Sequence, residues 1–255
     1  MQTGVQNGNF IKTMRKYLIT TLLFTVMCLS LYAQDNNADF RSQLYFVPDK
    51  GLYVTAGSSY ILLDSTCSQT NIFNWPNGLC PDNVICNYDG DIYLKSGKRI
   101  LEYWENELSV IAELENENFR IFPAFEGRMY ISTQKRDSSF LYAFDADLHS
   151  AEPIASTHDN INAVAGDAAT TTVFAAGKDI FIITEGRLDL IYSDFAEINA
   201  IALTADGIFF ATDYTIGIVI NSYLCIPIIE DGAIDLLVAD DCLYALLTDG
   251  NVIKI

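Results

Sequence analysis

Short apolar runs recur along this chain at a nearly constant interval. Aligned on an aromatic residue in the third place, "GLYVTAG" from Gly51, "DIYLKSG" from Asp91, "RMYISTQ" from Arg128, "TVFAAGK" from Thr172, "GIFFATD" from Gly207 and "CLYALLT" from Cys242 form one family of phrases. The aromatic falls at Tyr53, Tyr93, Tyr130, Phe174, Phe209 and Tyr244, with spacings of 40, 37, 44, 35 and 35 residues. Runs of five to seven residues rich in Val, Ile, Tyr, Phe and Thr have the length and composition of strands. The repeat is therefore a small antiparallel sheet and not a helix pair. In the second repeat "NVICNY", "DIYLKS", "RILEYW" and "ELSVIAEL" read as four strands joined at "DG", "GK" and "EN", connections short enough for tight hairpins.

A lone four-stranded sheet leaves its faces and edges unprotected, so the units need neighbours. A radial ring supplies them, and the small first strands, "INAVAG" and "INAIAL", suit strands converging on a crowded axis. The pattern predicts an all-β chain forming a single six-bladed β-propeller over residues 34–255. Five blades is the alternative if residues 41–64 are irregular. The last repeat is short, with "IDLLVA", "CLYALL" and "NVIKI" giving three strands. The segment "NADFRSQ" before the first repeat is expected to supply the fourth and close the ring.

"GIFFATDYTIGIVI" and "GLYVTAGSSYILL" resemble the Gly-aromatic-x-Thr-x-x-Gly phrasing of propeller repeats in the periplasmic sensor parts of hybrid two-component regulators and in related extracytoplasmic propellers. The resemblance is at the level of the repeat and spans most of the chain after residue 33. It implies the fold, and it says little of function, because propellers host many functions. No membrane helix or kinase follows the repeats, so the chain is not expected to be such a sensor. The Trp-Asp pairs of WD40 blades and the paired glycines of kelch blades are missing.

The N-terminus changes the picture next. Lys12, Arg15 and Lys16 precede an apolar or hydroxyl stretch from Leu18 to Tyr32, and Ala33 offers a cleavage site before Gln34. Residues 1–33 thus read as a secretory signal peptide, with Met14 a plausible natural start. The stretch is shorter than the roughly 20 apolar residues of a membrane span, and Met27 before Cys28 is too large for a lipobox. Export to the periplasm or beyond is the expectation.

Charge narrows the partners. The chain has 15 basic and 33 acidic residues, a formal −18, which removal of the leader deepens to −21. Such a surface repels nucleic acid and anionic lipid and attracts cations and basic proteins. From Glu102 to Glu117, "EYWENELSVIAELENE" holds six glutamates, Glu102, Glu105, Glu107, Glu113, Glu115 and Glu117, around Tyr103 and Trp104, with no basic residue. Carboxylates that steer and aromatics that anchor make this segment the candidate footprint for a basic protein, although Trp104 itself is expected to pack within the sheet.

Five cysteines remain after the leader, an odd number, so at least one thiol is free or pairs between molecules. Cys67 and Cys80 bracket "SQTNIFNWPNGL" and are the candidate disulfide. Candidate chemistry is sparse. His149 and His158 flank "SAEPIAST" and could meet over one face of the disc, but no third ligand is near in sequence. The "DGD" and "DAD" turns offer too few oxygens for calcium. No cofactor, metal site or catalytic residue is expected. The leading expectation is a non-catalytic, monomeric, protein-binding propeller, most concretely an inhibitor or immunity-type protein directed at a basic envelope toxin or hydrolase. A glycan- or small-ligand-binding propeller is favoured instead if Trp75, Tyr103 and Trp104 line one exposed pocket. A lyase or hydrolase requires His149 or His158 in a cleft with converging carboxylates.

Overall fold

The computed structural model describes residues 42–87, 90–124, 128–166, 171–220 and 224–255, and the expected leader lies outside them. Among the described residues twenty-three strands form six antiparallel sheets. Blade 1 is β1 (Leu44–Val47), β2 (Gly51–Ala56), β3 (Ser59–Leu63) and β4 (Gln69–Asn74). Blade 2 is β5 (Asn83–Cys86), β6 (Ile92–Ser96), β7 (Arg99–Trp104) and β8 (Glu107–Glu113). Blade 3 is β9 (Phe119–Pro123), β10 (Arg128–Lys135), β11 (Ser138–Asp145) and β12 (Ser150–Thr157). Blade 4 is β13 (Ile161–Gly166), β14 (Thr172–Ala176), β15 (Asp179–Thr184) and β16 (Arg187–Ser193). Blade 5 is β17 (Ala200–Thr204), β18 (Gly207–Ala211), β19 (Ile216–Ile220) and β20 (Leu224–Ile229), and blade 6 is β21 (Ala233–Ala239), β22 (Cys242–Leu247) and β23 (Val252–Lys254).

The first strand of each blade touches the first strand of the next, and β21 returns to β1. The protein is a six-bladed β-propeller, so the five-blade alternative falls. The aromatic that defines the repeat sits on the second strand of every blade, opposite Tyr45, Ile85, Phe122, Val164, Ala202 and Leu237 of the first.

The core is divided into six layers, one between each pair of adjacent blades. Alternate residues of a first strand serve different layers. Ile161 and Val164 of β13 face blade 3, whereas Ala163 and Ala165 face blade 5. A strand buried on both faces reads as a continuous apolar run, which is why "INAVAG" is buried at all six positions. The outer strands are largely exposed, β4 at every residue.

Ring closure differs from the expectation. Thr55 N–H donates to the Gln43 carbonyl at 2.9 Å, and Gln43 N–H to Thr55 Oγ1 at 2.9 Å. Gln43 thus extends β1 along β2, at the axis, instead of reaching β23 at the rim. Blade 6 keeps three strands among the described residues; residues 37–41 of the segment lie outside them. The ring closes through side chains: Leu44, Leu52 and Leu246 pack together, and Leu44 N–H donates to Asp235 Oδ2 at 2.7 Å.

Strand direction alternates within a blade, so the connections sort onto two faces. The face where first strands begin carries the crossovers between blades and the hairpins between second and third strands. We term it the entry face and the other the exit face.

Candidate functional site

Several sequence-predicted residues are separated by this sorting. Glu105 lies in the exit-face turn between β7 and β8, with Glu107 beside it, while Glu115 and Glu117 lie in the entry-face crossover after β8. Seven residues of β8 stand between the two groups, roughly 20 Å at about 3.3 Å per residue. Glu113 pairs with Arg99 at 3.2 Å, and Glu102 Oε2 accepts from Ser109 Oγ at 3.4 Å. The segment therefore forms two small acidic groups instead of one footprint.

Its aromatics also part. Trp104 is 65 % exposed, correcting the expectation that it packs within the sheet. Tyr103 turns to the opposite side of β7 and meets Trp75 edge-on at 5.4 Å between blades 1 and 2. Trp75 is buried, with Tyr60 4.4 Å away. The three aromatics share no exposed pocket, so the condition set for a glycan site on them is not met.

The histidines and the proposed disulfide are separated in the same way. His149 precedes β12 on the exit face, where its Nδ1 lies 3.0 Å from the Ile111 carbonyl, whereas His158 follows β12 on the entry face. Cys67 occupies the exit-face turn before β4, and Cys80 the entry-face crossover after it. Both thiols are free, a correction to the predicted bridge that follows from β4 holding them at opposite ends. Burial pushes the Cys86 thiol up to about 12, with Asp91 adding to it, which makes it a poor nucleophile. Among the described residues no three His, Cys, Asp or Glu side chains converge as metal ligands.

The entry face over blades 4 to 6 is different. Phe195, in the crossover after β16, is fully exposed, and Tyr214, in the hairpin between β18 and β19, is 73 % exposed. Both loops are fixed. Asp194 accepts from Phe195 N–H at 2.7 Å, Ala196 N–H at 3.1 Å and Tyr192 Oη at 2.6 Å. Thr212 Oγ1 accepts from Tyr214 N–H and Thr215 N–H, the turn geometry that a hydroxyl residue supports. Asn199 Nδ2 joins the loops by donating to Asp213 Oδ1 at 2.7 Å. Gly232 packs against the Asp213 carbonyl with no room for a Cβ.

The entry-face connections of blades 4 to 6 also carry exposed Asp159, Glu197, Asp213, Glu230, Asp231 and Asp249. The chain after His158 has three basic residues, Lys178, Arg187 and Lys254. Arg187 begins β16 at the exit face and pairs with Asp189 at 2.7 Å, and Lys254 ends β23 at the same face. Lys178 alone of the three belongs to the entry face. An aromatic beside an acid in each connecting segment, "SDFAE" and "TDYT", was the available sequence signal. It was weak because nothing in the sequence puts the two loops side by side.

The channel is the second feature. It encloses about 310 Å³ and is lined along its length by the first strands. Near its entry end, the residue two places before the partner of each repeat aromatic is Gln43, Asn83, Arg120, Asn162, Ala200 and Asp235. Five of these six positions are polar, and each such side chain reaches the next blade. Gln43 Oε1 accepts from Val84 N–H at 2.8 Å, and Asn83 Oδ1 from Ile121 N–H at 2.8 Å. Arg120 Nη1 donates to the Asn162 carbonyl at 2.6 Å, and Asn162 Nδ2 to Glu197 Oε1 at 2.8 Å. Blade 5 uses the preceding residue, Asn199, whose Nδ2 lies 3.3 Å from the Ala233 carbonyl. Asp235 completes the circuit at Leu44. Burial pushes the Asp235 carboxyl up to about 6, against the opposing pull of the Leu44 and Leu236 N–H groups and of Arg120.

An acidic face and a polar-ringed channel on a six-bladed β-propeller define the class of this molecule. No family model matches the chain, and no curated protein matches it. Solved structures do. The extracellular domain of a putative hybrid two-component system from B. thetaiotaomicron is similar with TM-score 0.60 at 13% identity, over 87% of this chain and 33% of that one. A catalytically inactive virginiamycin B lyase from Staphylococcus aureus gives TM-score 0.61 at 12% identity, over 86% and 82%. A chain of a nidogen/laminin complex gives 0.58 at 16% identity, over 70% and 75%. Their roles differ, and at these identities the likeness is one of fold.

Proposed function

We propose that this chain is an exported, non-catalytic binding propeller that docks a basic protein on the entry face over blades 4 to 6. The observation that carries the reading is that two exposed aromatics, Phe195 and Tyr214, stand on two joined loops of an entry face rich in carboxylates and almost free of basic residues. Aromatic anchors inside a charged rim are the usual arrangement of binding hot spots, and complementary charge speeds encounter. Likeness to extracellular propeller domains supports export, together with the leader-like N-terminus. Among the described residues no helix is long and apolar enough to cross a membrane. A basic toxin or hydrolase of the cell envelope has the chemistry this face requires, and holding it would make the protein an inhibitor.

The test is a pull-down from envelope and secreted fractions with the wild-type protein and two variants, Phe195→Ala/Tyr214→Ala and Trp104→Ala. A basic protein retained by the wild type and by Trp104→Ala, weakened by salt and lost with the double variant, supports the reading. Loss of an anchor of this kind weakens binding about tenfold or more. Retention that ignores the double variant overturns it.

A further inference from the structure

Blade 6 differs from the other five at its rim. Leu247 N–H donates to the Asn251 carbonyl and Ile255 N–H to the Leu243 carbonyl, each at 2.8 Å. Odd-numbered residues of β23 thus bond to β22, and the N–H and carbonyl groups of Val252 and Lys254 point the other way, to the outer edge. No described strand pairs with that edge. A lysine at an edge often shields it, but Lys254 is folded back, its Nζ 5.8 Å from the centre of the Tyr244 ring. The neighbouring blades turn apolar side chains toward the same place. Ile226, in line with Ala202 and Phe209 on the blade 6 side of blade 5, is 41 % exposed. Ile72, in line with Leu44 and Val54 on the blade 6 side of blade 1, is 50 % exposed.

Two occupants of this slot are disfavoured. Fourth strands end five to nine residues ahead of the position equivalent to Gln43, as Thr157 does before Asn162 and Asn74 before Asn83. A strand from the chain's own N-terminus would therefore end between residues 34 and 38 and, at the six to eight residues of the other fourth strands, begin inside the leader. A second copy carries the same formal −21 and is repelled. We propose that blade 6 accepts an extended segment of the basic partner as its fourth strand, antiparallel to β23. The proposal rests on the reading of a basic partner and not on the aromatic anchors. In strand addition the main chain supplies affinity and alternate side chains supply specificity; here the side chains that meet Ile72 and Ile226 are apolar. β23 starts from the entry-face hairpin that carries Asp249, and Asp231 lies in the crossover into the same blade, so the slot continues the acidic face and favours basic residues at that end.

Site-resolved hydrogen exchange on the whole protein after leader removal tests this. The probe is the peptide acetyl-KKITVKK-amide, and the control is the same peptide N-methylated at its central residues, equal in charge but without the donors of a ladder. In the protein alone the Val252 and Lys254 amides should exchange freely. The probe should slow both about tenfold or more, and the control should not. Val252→Pro removes an outward N–H and no bond to β22, so it should keep the circular dichroism spectrum and weaken probe binding about tenfold. Phe195→Ala/Tyr214→Ala should bind the probe as the wild type does. Slow exchange of the two amides in the protein alone would mean that its own chain or a second copy fills the edge, and overturns the proposal. A probe that leaves them unprotected, or protects them no better than its methylated form, overturns it too. Failure here with a basic protein still captured through Phe195 and Tyr214 strikes strand addition alone; strand addition with no protein captured strikes the reading of the entry face alone.

Discussion

Asp235 shows how one residue joins the two ends of the chain. Its carboxylate accepts from Leu44 N–H across the closure and from Leu236 N–H beside it, while Arg120 is the charged group facing it from across the channel. With the carboxyl raised from 3.8 to about 6, the folded protein holds this proton more tightly than the unfolded chain. The ionised form therefore carries a penalty above pH 6 that disappears as pH falls toward 4, about 3 kcal/mol in all. Asp235→Asn removes that penalty and keeps the acceptor, as Asn83 does for Ile121 N–H. Urea unfolding at pH 7.5 and pH 5 should show the wild type gaining more stability on acidification than the variant. Equal gains would mean that the general acidity of the chain, and not this group, sets the pH dependence.

At the scale of the element, the third and fourth strands of all five complete blades shift register once, between Leu62 and Leu63, Ile100 and Leu101, Leu141 and Tyr142, Ile180 and Phe181, and Ile216 and Gly217. A bulge there sharpens the twist of the outer edge. It also turns Ile111, Ile154 and Ile191 inward onto the interblade layers, and the carbonyl of Ile111 meets His149 of the next blade. The hairpin between β18 and β19 depends on close backbone approach instead. Gly232→Ala places a Cβ against the Asp213 carbonyl and must displace the hairpin that carries Tyr214. Overpacking of this kind costs about 1–3 kcal/mol. The expected outcome is a lower urea midpoint together with weaker capture of the basic partner; an unaltered midpoint would show that the crossover yields without cost.

For the whole molecule the closure is the thin place. Among the described residues ten buried side chains anchor the layer between blades 4 and 5, whereas three, Leu44, Leu52 and Leu246, anchor the layer between blades 6 and 1. Blade 6 also lacks a fourth strand among the described residues. Native-state hydrogen exchange should find the amides of β1 and β21 to β23 opening at lower free energy than those of β13 and β14, since local opening follows sparse apolar burial. Leu246→Ala should cost about 2–5 kcal/mol and widen that difference. Uniform protection around the ring would show that the Asp235 bond and the half-buried side chains make the closure as strong as the other layers.

The sequence by itself determined the repeat and most of the strands within it, and it left six blades against five to be decided by the fold. "DIYLKS" and "RILEYW" announced β6 and β7 to within a residue, because apolar run length and turn residues are local properties. The polar residue two places before the aromatic's partner was also present in the sequence of five blades, though its meaning was not. Only the tertiary structure decided which residues meet. It placed Glu105 and Glu117 on opposite faces, separated His149 from His158 and Cys67 from Cys80, joined the loops that carry Phe195 and Tyr214 and set Arg120 opposite Asp235. Neighbours along a strand lie on one line from face to face, so closeness in sequence across a full strand means distance in space. Residues at equivalent places in different blades lie on one ring, and that nearness exists only once the ring has closed.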